Sequence, residues 1–369
     1  MSRRLDGGDR SAGAGFAGSG AKLRRVRALE ELLGPAALVV AAALLGVAVS
    51  ASTQTYFTNA LVEVAIVVAL YVFIGNSGVL SFGHVSFVAV GAWTAGVLSV
   101  PASEKPAIMP GLAHFLRDRT VDNVESLALA ALVGGVCALV VALPLMRLSG
   151  LAAGIATFAV LEIVHNLLRY EERIGPGLNT FSSVPETTGL RQAALGALVA
   201  IVVAFVYARS RYGRLLRATR EDPAASRAVG ISVYRQRLIA FALSGLLAGL
   251  AGGLYVHLVP LNTEALYLDL TFITLAMLVV GGATSLWGAV VGALGVSALD
   301  SVLAVAENGT SFLGAHVDLP AGTRLVAEGV LMAFVLIVRP GGLTGGREFR
   351  LPRRSPGVRM EQVSRTESL

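Results

Sequence analysis

The stretch NALVEVAIVVALYVFIG, residues 59–75, decides the fold, because it is almost entirely apolar and Glu63 is its only charged residue. About 20 consecutive apolar residues cross the hydrocarbon core of a bilayer as a helix, and comparable runs recur along the chain. Of the 369 residues, 54% are hydrophobic and 15% are charged, whereas a soluble domain carries roughly 25% charged residues. We therefore predict an all-α integral membrane protein rather than a set of soluble domains.

The apolar runs predict about ten transmembrane helices. The eighth run is short, which predicts a tilted helix or a broken one buried in protein, where irregular backbone is tolerated. The predicted spans are about 32–50, 59–75, 79–100, 125–146, 150–168, 192–208, 238–258, 269–282, 286–306 and 324–338.

Basic residues predict the orientation of these spans. With the N-terminus inside, 23 of the 30 Lys and Arg residues fall in cytoplasmic segments and 7 in outer loops. Cytoplasmic loops of membrane proteins carry such an excess. We therefore expect both termini in the cytoplasm and an even number of spans, with eight still open beside ten.

Three regions follow from this reading. Residues 1–31 are predicted to be a disordered basic cytoplasmic tail, 32–338 the membrane domain, and 339–369 a cytoplasmic tail. The motif VSAS at 49–52 is compatible with signal-peptidase cleavage, but the polar leader before it is long for a signal peptide. We expect the first helix to be retained.

The predicted cytoplasmic loop 209–237 reads RSRYGRLLRATREDPAASRAVGISVYRQR. It is too polar to enter the membrane and too patterned to be a bare linker. Asp222 is a good helix cap, Pro223 suits the first turn, and Gly230 is a natural stop. The pattern predicts a short helix that either docks on a soluble partner or lies on anionic lipid headgroups.

Few ionisable residues lie within the predicted spans, and each costs about 2.5–3.5 kcal/mol at a helix centre, so each is expected to face protein or water. Glu63 and Asp300 line a translocation path or pair with another helix. Glu162 and His165 form a polar stripe with Arg169 near the outer mouth, or a charge cluster at a helix end. Further candidates are His84, for which we favour a hydrogen bond that fixes the inner turn, and Glu328.

Several motifs together are similar to those of the branched-chain amino-acid ABC transporter permease family (LivM-type). They occur in the family's order between about residues 59 and 345, and Trp93 stands where the family usually has Tyr. The matching segments are GNSGVLSFGH at 75–84, GAWT at 91–94, GLAAGIATFAVLE at 150–162, EDPAASRAVGI at 221–231, FALSG at 241–245, AGLAG at 248–252, VGGATSLWG at 280–288 and RPGGL at 339–343.

The resemblance implies a permease subunit of an importer in the bacterial plasma membrane. Its partners would be a second homologous permease, two ABC ATPase subunits, an extracytoplasmic solute-binding protein and membrane lipid, without nucleic acid. The implied ATPase-coupling residues are Glu221, Asp222, Ala225 and Gly230. The matched motifs and the buried polar residues together nominate a translocation path with Glu63, Ser81, His84, Thr157, Glu162 and Asp300.

The substrate is less well defined than the family. The family often has a Thr-Gly-Gly loop after the fifth span, and RIGPGLN at 173–179 departs from it. Branched-chain or related amino acids are implied, and a urea or amide permease stays open. An ion-coupled secondary transporter acting alone is a further alternative, with Glu63, Glu162 and Asp300 as its buried carboxylates.

Other functional classes lack their motifs. No Gly-Lys-Ser/Thr occurs, so the chain itself is not expected to bind ATP. Cys137 is the single cysteine, which excludes a disulfide framework and a cysteine-based metal site. We see no nucleophile motif and no His/Asp metal cluster, and we expect a transport subunit without catalytic residues, cofactor or metal.

Overall fold

Each of the ten predicted apolar runs contains a helix. The structure is a computed structural model, and it describes residues 11–307, 311–312, 315–316, 320 and 322–349. Within that part of the chain, the helices are α1 Ser11–Val47, α2 Ala51–Ser77, α3 His84–Ser99, α4 Lys105–Ile108, α5 His114–Arg117, α6 Asn123–Leu145, α7 Leu151–Tyr170, α8 Leu190–Arg209, α9 Arg211–Glu221, α10 Pro223–Ala228, α11 Val233–Val256, α12 Leu268–Gly281, α13 Leu286–Glu307 and α14 Thr323–Val338.

Eight helical segments among the described residues are long and apolar enough to cross a membrane. The all-helical membrane fold is thereby confirmed, while the count of ten spans and the cytoplasmic termini remain predictions. Helices α3 and α14 have 16 residues each, or about 24 Å at 1.5 Å per residue. That length is shorter than the hydrocarbon core of about 30 Å.

The connections gather at two ends of the bundle. We call one the basic end, which holds residues 209–237 and 339–349. There, Arg237 donates a hydrogen bond to the carbonyl of Leu148. The opposite end holds residues 100–122, 171–189 and 257–267, where the amide of Phe181 bonds the carbonyl of Leu261 at 2.8 Å.

Helix α2 forms the centre of the bundle. Its residues from Ala60 to Ser77 are all buried, and α1, α8, α11 and α13 pack around it. Apolar residues occupy nearly every position, since a helix that is hydrophobic on all sides is buried.

Glycines bring α11 against α3 and α6. A Cβ placed on Gly252 would lie 1.9 Å from the carbonyl oxygen of Val88, and one on Gly249 would lie 2.4 Å from that of Ala130. Small residues permit such close contact between membrane helices. These glycines therefore serve the packing of α11.

The structure differs from the predicted boundaries at three places. The third helix begins at His84 rather than at 79, because Gly78 ends α2 in the left-handed conformation and 79–83 form a turn. Residues 51–58, predicted as an outer loop, are the start of α2. The backbone is helical from Ser11, where a disordered tail was predicted up to residue 31; its alanines favour a helix continuous with the apolar run.

The segment after α14 also has a defined conformation. Leu343 donates a backbone hydrogen bond to Val280 at 2.8 Å, and the Glu348 carboxylate accepts bonds from the amides of Leu286 and Trp287. Residues 340–349 are therefore hydrogen-bonded to the turn between α12 and α13. A short hairpin pairs β1 Ser311–Phe312 with β2 Ala315–His316.

Candidate functional site

The short helix predicted after Asp222 is present as α10. The Asp222 carboxylate accepts hydrogen bonds from the amides of Ala224 and Ala225, both at 2.9 Å. Pro223 occupies the first helical turn, and Gly230 follows with a φ of +80°. Sequence signals for a capped start and a glycine stop thus produced the expected local structure.

Helix α10 presents most of its surface outward at the basic end. Ser226 is its one buried residue, and the four predicted coupling positions Glu221, Asp222, Ala225 and Gly230 are all exposed. Val229, next to them, is 75% exposed. The surface formed by residues 221–230 is therefore available to another protein.

Helix α9 ties this surface to the central helix. Arg217 donates to the side-chain oxygen of Asn76 at 2.8 Å, and Arg220 donates to the carbonyl of Gly75 at 2.8 Å. Arg220 also pairs with the carboxylate of Glu221 at 2.8 Å. These contacts connect residues beside α10 to the last turn of α2.

Two further predicted positions meet at the start of α3. The side chain of His84 is buried and its Nδ1 lies 2.8 Å from the Ser81 hydroxyl. The ring also stacks on Phe73 with centroids 5.3 Å apart. This geometry agrees with a hydrogen bond that fixes the turn.

Thr157 joins the same turn from α7. Its hydroxyl accepts a hydrogen bond from the amide of Phe82 at 3.2 Å and donates to the carbonyl of Gly154 at 2.8 Å. A Cβ on Gly83 would lie 2.3 Å from the Thr157 carbonyl oxygen. Glycine at 83 therefore lets the turn rest directly on α7.

The predicted polar stripe on α7 contacts the segment before α12. The Glu162 carboxylate accepts a short hydrogen bond from the Tyr267 hydroxyl. Arg169 forms an ion pair with Glu264 at 2.6 Å, and the His165 ring stacks on Tyr267 with centroids 3.9 Å apart. Glu162 itself is exposed, on the outward side of α7.

A small cavity lies behind this stripe, between α3 and α7. Its wall includes Ser86, Trp93, His165 and Thr263, and its volume of about 10 Å³ is roughly that needed for one water. The Ser86 hydroxyl and the Trp93 indole nitrogen are buried and have no hydrogen-bond partner among the described residues. The space between these helices therefore admits no more than about one water.

Glu63 and Asp300 lie in a second polar group. Asn59 donates to one Glu63 oxygen at 2.8 Å, while the other is buried without a hydrogen-bond partner in the described part of the chain. Asp300 forms an ion pair with Arg324 at 3.0 Å, and its charge acts on Glu63. Arg324, at the start of α14, was not predicted as a partner.

The six nominated path residues thus fall into three places. Ser81, His84 and Thr157 meet near the basic end, Glu63 and Asp300 lie between α2 and α13, and Glu162 is exposed on α7. The structure does not bring them into one cluster. Sequence reasoning missed Glu264 and Tyr267, because they lie about a hundred residues from their partners on α7. The side chain of Glu328, a further ionisable residue of the predicted spans, lies outside the described part of the chain.

Among the residues that the structure describes, no group of three His, Cys, Asp or Glu side chains is arranged to hold a metal ion. The α10 surface and the polar face of α7 present charged or hydrogen-bonding groups outward, whereas the arginines of α9 bond inward to α2.

Comparisons with known proteins agree with the fold. The family model described as "branched-chain amino acid transport system / permease component" matches residues 52–338. The high-affinity branched-chain amino acid transport system permease protein LivM of Escherichia coli is 26% identical over 293 residues, which span 70% of this chain and 65% of that protein, just under two thirds. LivM of Salmonella typhimurium is 26% identical over 362 residues, or 89% of this chain and 78% of that protein.

Other transporters match shorter segments. The guanosine ABC transporter permease protein NupQ of Bacillus subtilis is 35% identical over 88 residues, 24% of this chain and 28% of that protein. No solved structure matches the chain. Since the described part of the chain contains eight helices that can cross a membrane, the chain is a multi-pass protein of the bacterial inner membrane, and it belongs to the family of branched-chain amino acid transport system permease components.

Proposed function

We propose that this chain is the permease subunit of an ABC importer and forms half of a translocation path for branched-chain or related amino acids. The observation that carries the proposal is the exposed, capped α10 surface, residues 221–230, anchored through α9 to α2. An ATPase subunit that grips this surface would move the central helix, because Arg217 and Arg220 join them.

The basic end would face the cytoplasm, where ATP is available. Its excess of arginine is the pattern of cytoplasmic segments. Two ATPase subunits would then serve two permeases, one beneath each α10. An extracytoplasmic binding protein would deliver substrate at the opposite end.

The polar face of α7 supports a second permease as a partner. Glu162 is the twelfth of the 20 residues of α7 and is exposed. A carboxylate at that depth costs about 2.5–3.5 kcal/mol against lipid, so such residues face protein or a water-filled path. A homologous permease opposite α7 would enclose Glu162, and with it the closed cavity behind α7, in the translocation path.

The substrate class follows from the relatives that match most of the chain, the two LivM proteins. A urea or amide importer is the alternative that departs least from this proposal. Uptake of labelled leucine in competition with urea and short amides distinguishes them: the proposal expects competition by isoleucine and valine and none by urea.

Charge reversal at Glu221 tests the docking surface. We expect Glu221→Lys to reduce ATP-driven uptake and retention of the ATPase in a pull-down, because the exposed carboxylate would face that partner. Glu125, exposed at the opposite end, provides the matched control, and Glu125→Lys should retain the ATPase as the unaltered protein does. Deletion of residues 222–230 should uncouple transport while membrane insertion persists.

Normal uptake by that deletion, with the ATPases still bound, would contradict the role of the α10 surface. Uptake by this chain alone in liposomes under an ion gradient, without ATP, would favour the ion-coupled secondary transporter instead. The two results are independent: the deletion tests only the role of the α10 surface, and the liposome experiment tests only the energy source of transport.

A further inference from the structure

A separate cavity of about 260 Å³ opens at the basic end. Five parts of the chain form its wall: the start of the apolar part of α1, the last third of α2, the corner between α8 and α9, the turn between α12 and α13, and the segment after α14. The side chains that matter here are Glu31, Tyr71, Phe205, Arg209, Arg217 and Glu348. None of them belongs to the α10 surface or to the polar face of α7.

The charges around this cavity balance, with two carboxylates and two guanidinium groups. Arg209 donates to Glu31 at 2.6 Å through Nη2, but its buried Nε has no hydrogen-bond partner in the described part of the chain. Arg217 is held by Asn76 and by the carbonyl of Ala208. These groups therefore present both signs of charge to the same small space.

Glu348 is fixed differently from Glu31. Its two carboxylate oxygens accept bonds from the amides of Leu286 and Trp287, at 2.9 and 3.2 Å. Burial raises the pKa of the Glu348 carboxyl, and these two hydrogen bonds oppose the rise. With Glu348 occupied by backbone amides, Glu31 is the carboxylate better placed to accept from a ligand.

Tyr71 and Arg209 supply the groups that point to a ligand. Tyr71 is 3% exposed and lines the cavity, so it shares one wall with Glu31, Arg217 and Glu348. The Nε of Arg209, on the same wall, is buried and has no hydrogen-bond partner in the described part of the chain. A buried donor is normally paired, and a molecule in the cavity would supply the partner.

We propose that this cavity binds a free α-amino acid as a zwitterion, with its carboxylate at Arg209 and the Tyr71 hydroxyl and its ammonium group at Glu31. The choice of an amino acid among small zwitterions rests on the proposed function. Phe205 beside the charged groups provides an apolar surface for the side chain. A molecule with a single charge would pair with only one of these two side chains. Recognition therefore depends on both charges of the ligand.

An amino acid bound in this cavity would restrict the movement of the α10 surface. The cavity wall joins α1, α2, the α8–α9 corner and the segment after α14, and α9 leads directly into α10. A bound amino acid bridges these elements and restrains the α10 surface. Because the cavity lies at the end proposed to face the cytoplasm, imported product that accumulates there slows its own uptake.

Direct binding tests the site. The complete transporter, without binding protein, is placed in nanodiscs of phosphatidylglycerol, and binding of labelled L-leucine is measured. We expect unlabelled leucine to compete, and isovalerate and 3-methylbutylamine, which each carry one of its charges, to compete at least tenfold more weakly. Equal competition by isovalerate would overturn the zwitterion site.

Two tyrosine variants locate the binding. Tyr71→Phe should weaken leucine affinity about tenfold, since a hydrogen bond to a charged group is lost, and leucine should no longer slow ATP hydrolysis. Tyr207→Phe is the control: the Tyr207 hydroxyl is buried and lacks a partner in the described part of the chain, and Tyr207 does not line the cavity. Unchanged affinity in Tyr71→Phe, with an unchanged melting temperature, would overturn the proposal.

A lipid headgroup offers the same pair of charges and is separated by a second nanodisc. Leucine binding that is lost in phosphatidylethanolamine and present in phosphatidylglycerol would assign the cavity to the headgroup and overturn the free amino acid. Failure of ATP-driven uptake in the unaltered protein would contradict the proposed function but leaves this binding measurement valid. The two failures are therefore distinguishable.

Discussion

Removal of the Asp222 cap is the sharpest perturbation of the α10 surface. One carboxylate oxygen accepts both hydrogen bonds, from the amides of Ala224 and Ala225. Helix α10 has six residues, and a helix that short is not stable by itself in water. Its conformation therefore depends on the cap and on its packing against α9 and α11.

The size of the effect follows from capping energies. Replacing an Asp cap with Ala costs about 0.5–2 kcal/mol and typically ~1 kcal/mol. Since 1.4 kcal/mol corresponds to a factor of ten, about 1 kcal/mol lowers the ratio of formed to unformed α10 by roughly fivefold. We expect Asp222→Ala to reduce ATP-driven uptake by up to about this factor, with little change in the overall melting temperature.

Asp222→Asn separates the cap from the charge. Asparagine caps a helix about as well as aspartate and carries no charge, so this variant should transport within about twofold of the unaltered protein. The measurements are leucine uptake in proteoliposomes that contain the ATPase and the binding protein, and ATP hydrolysis in the same vesicles. Equal loss in Asn and Ala variants would refute the capping argument and assign the effect to the charge.

Two further predictions concern packing and orientation. Gly252→Val should reduce the free energy of unfolding of the detergent-solubilised protein by about 1–3 kcal/mol, because any Cβ at this position meets the Val88 carbonyl. Gly295→Ala, in open space on α13, is the control and should leave the stability nearly unchanged. A thermal unfolding assay measures both. With Cys137 replaced, a cysteine at Val229 should react with a membrane-impermeant label only after the inner membrane is opened. A cysteine at Phe115, 72% exposed at the opposite end, should react in spheroplasts; the reverse pattern would invert the proposed orientation.

Local signals predicted the parts of the site that depend on neighbours in sequence. The Asp222 cap, the Pro223 turn and the Gly230 stop lie within nine residues, and the Asp222 carboxylate accepts from amides only two and three positions away. The apolar runs likewise predicted the helices, since a membrane requires satisfied backbone hydrogen bonds within each span. Both kinds of signal are contained in a short window of sequence.

Contacts between distant residues left no such signal. Arg169 and Glu264 are 95 positions apart, and Arg217 and Asn76 are 141 apart. Arginine in a basic loop predicts orientation, and its individual partner depends on how helices pack. The same limit explains why six nominated path residues fall into three places: ionisable character indicates a polar environment and does not indicate which one.

The hydrogen bonds between α9 and α2 determine which helix a displacement of α10 can move. Arg220 reaches the carbonyl of Gly75, and its side chain covers Gly78, where a Cβ would lie 2.6 Å from Arg220 Cγ. From Ser77 back to Ala60, α2 is a continuous run of buried residues, and close-packed interiors transmit displacement rather than absorb it. Under the proposed function, a displacement of α10 would pass along α2 to Glu63 in the middle of that helix and to the Asp300–Arg324 pair, which would make α2 the element that connects the proposed docking surface to the membrane interior.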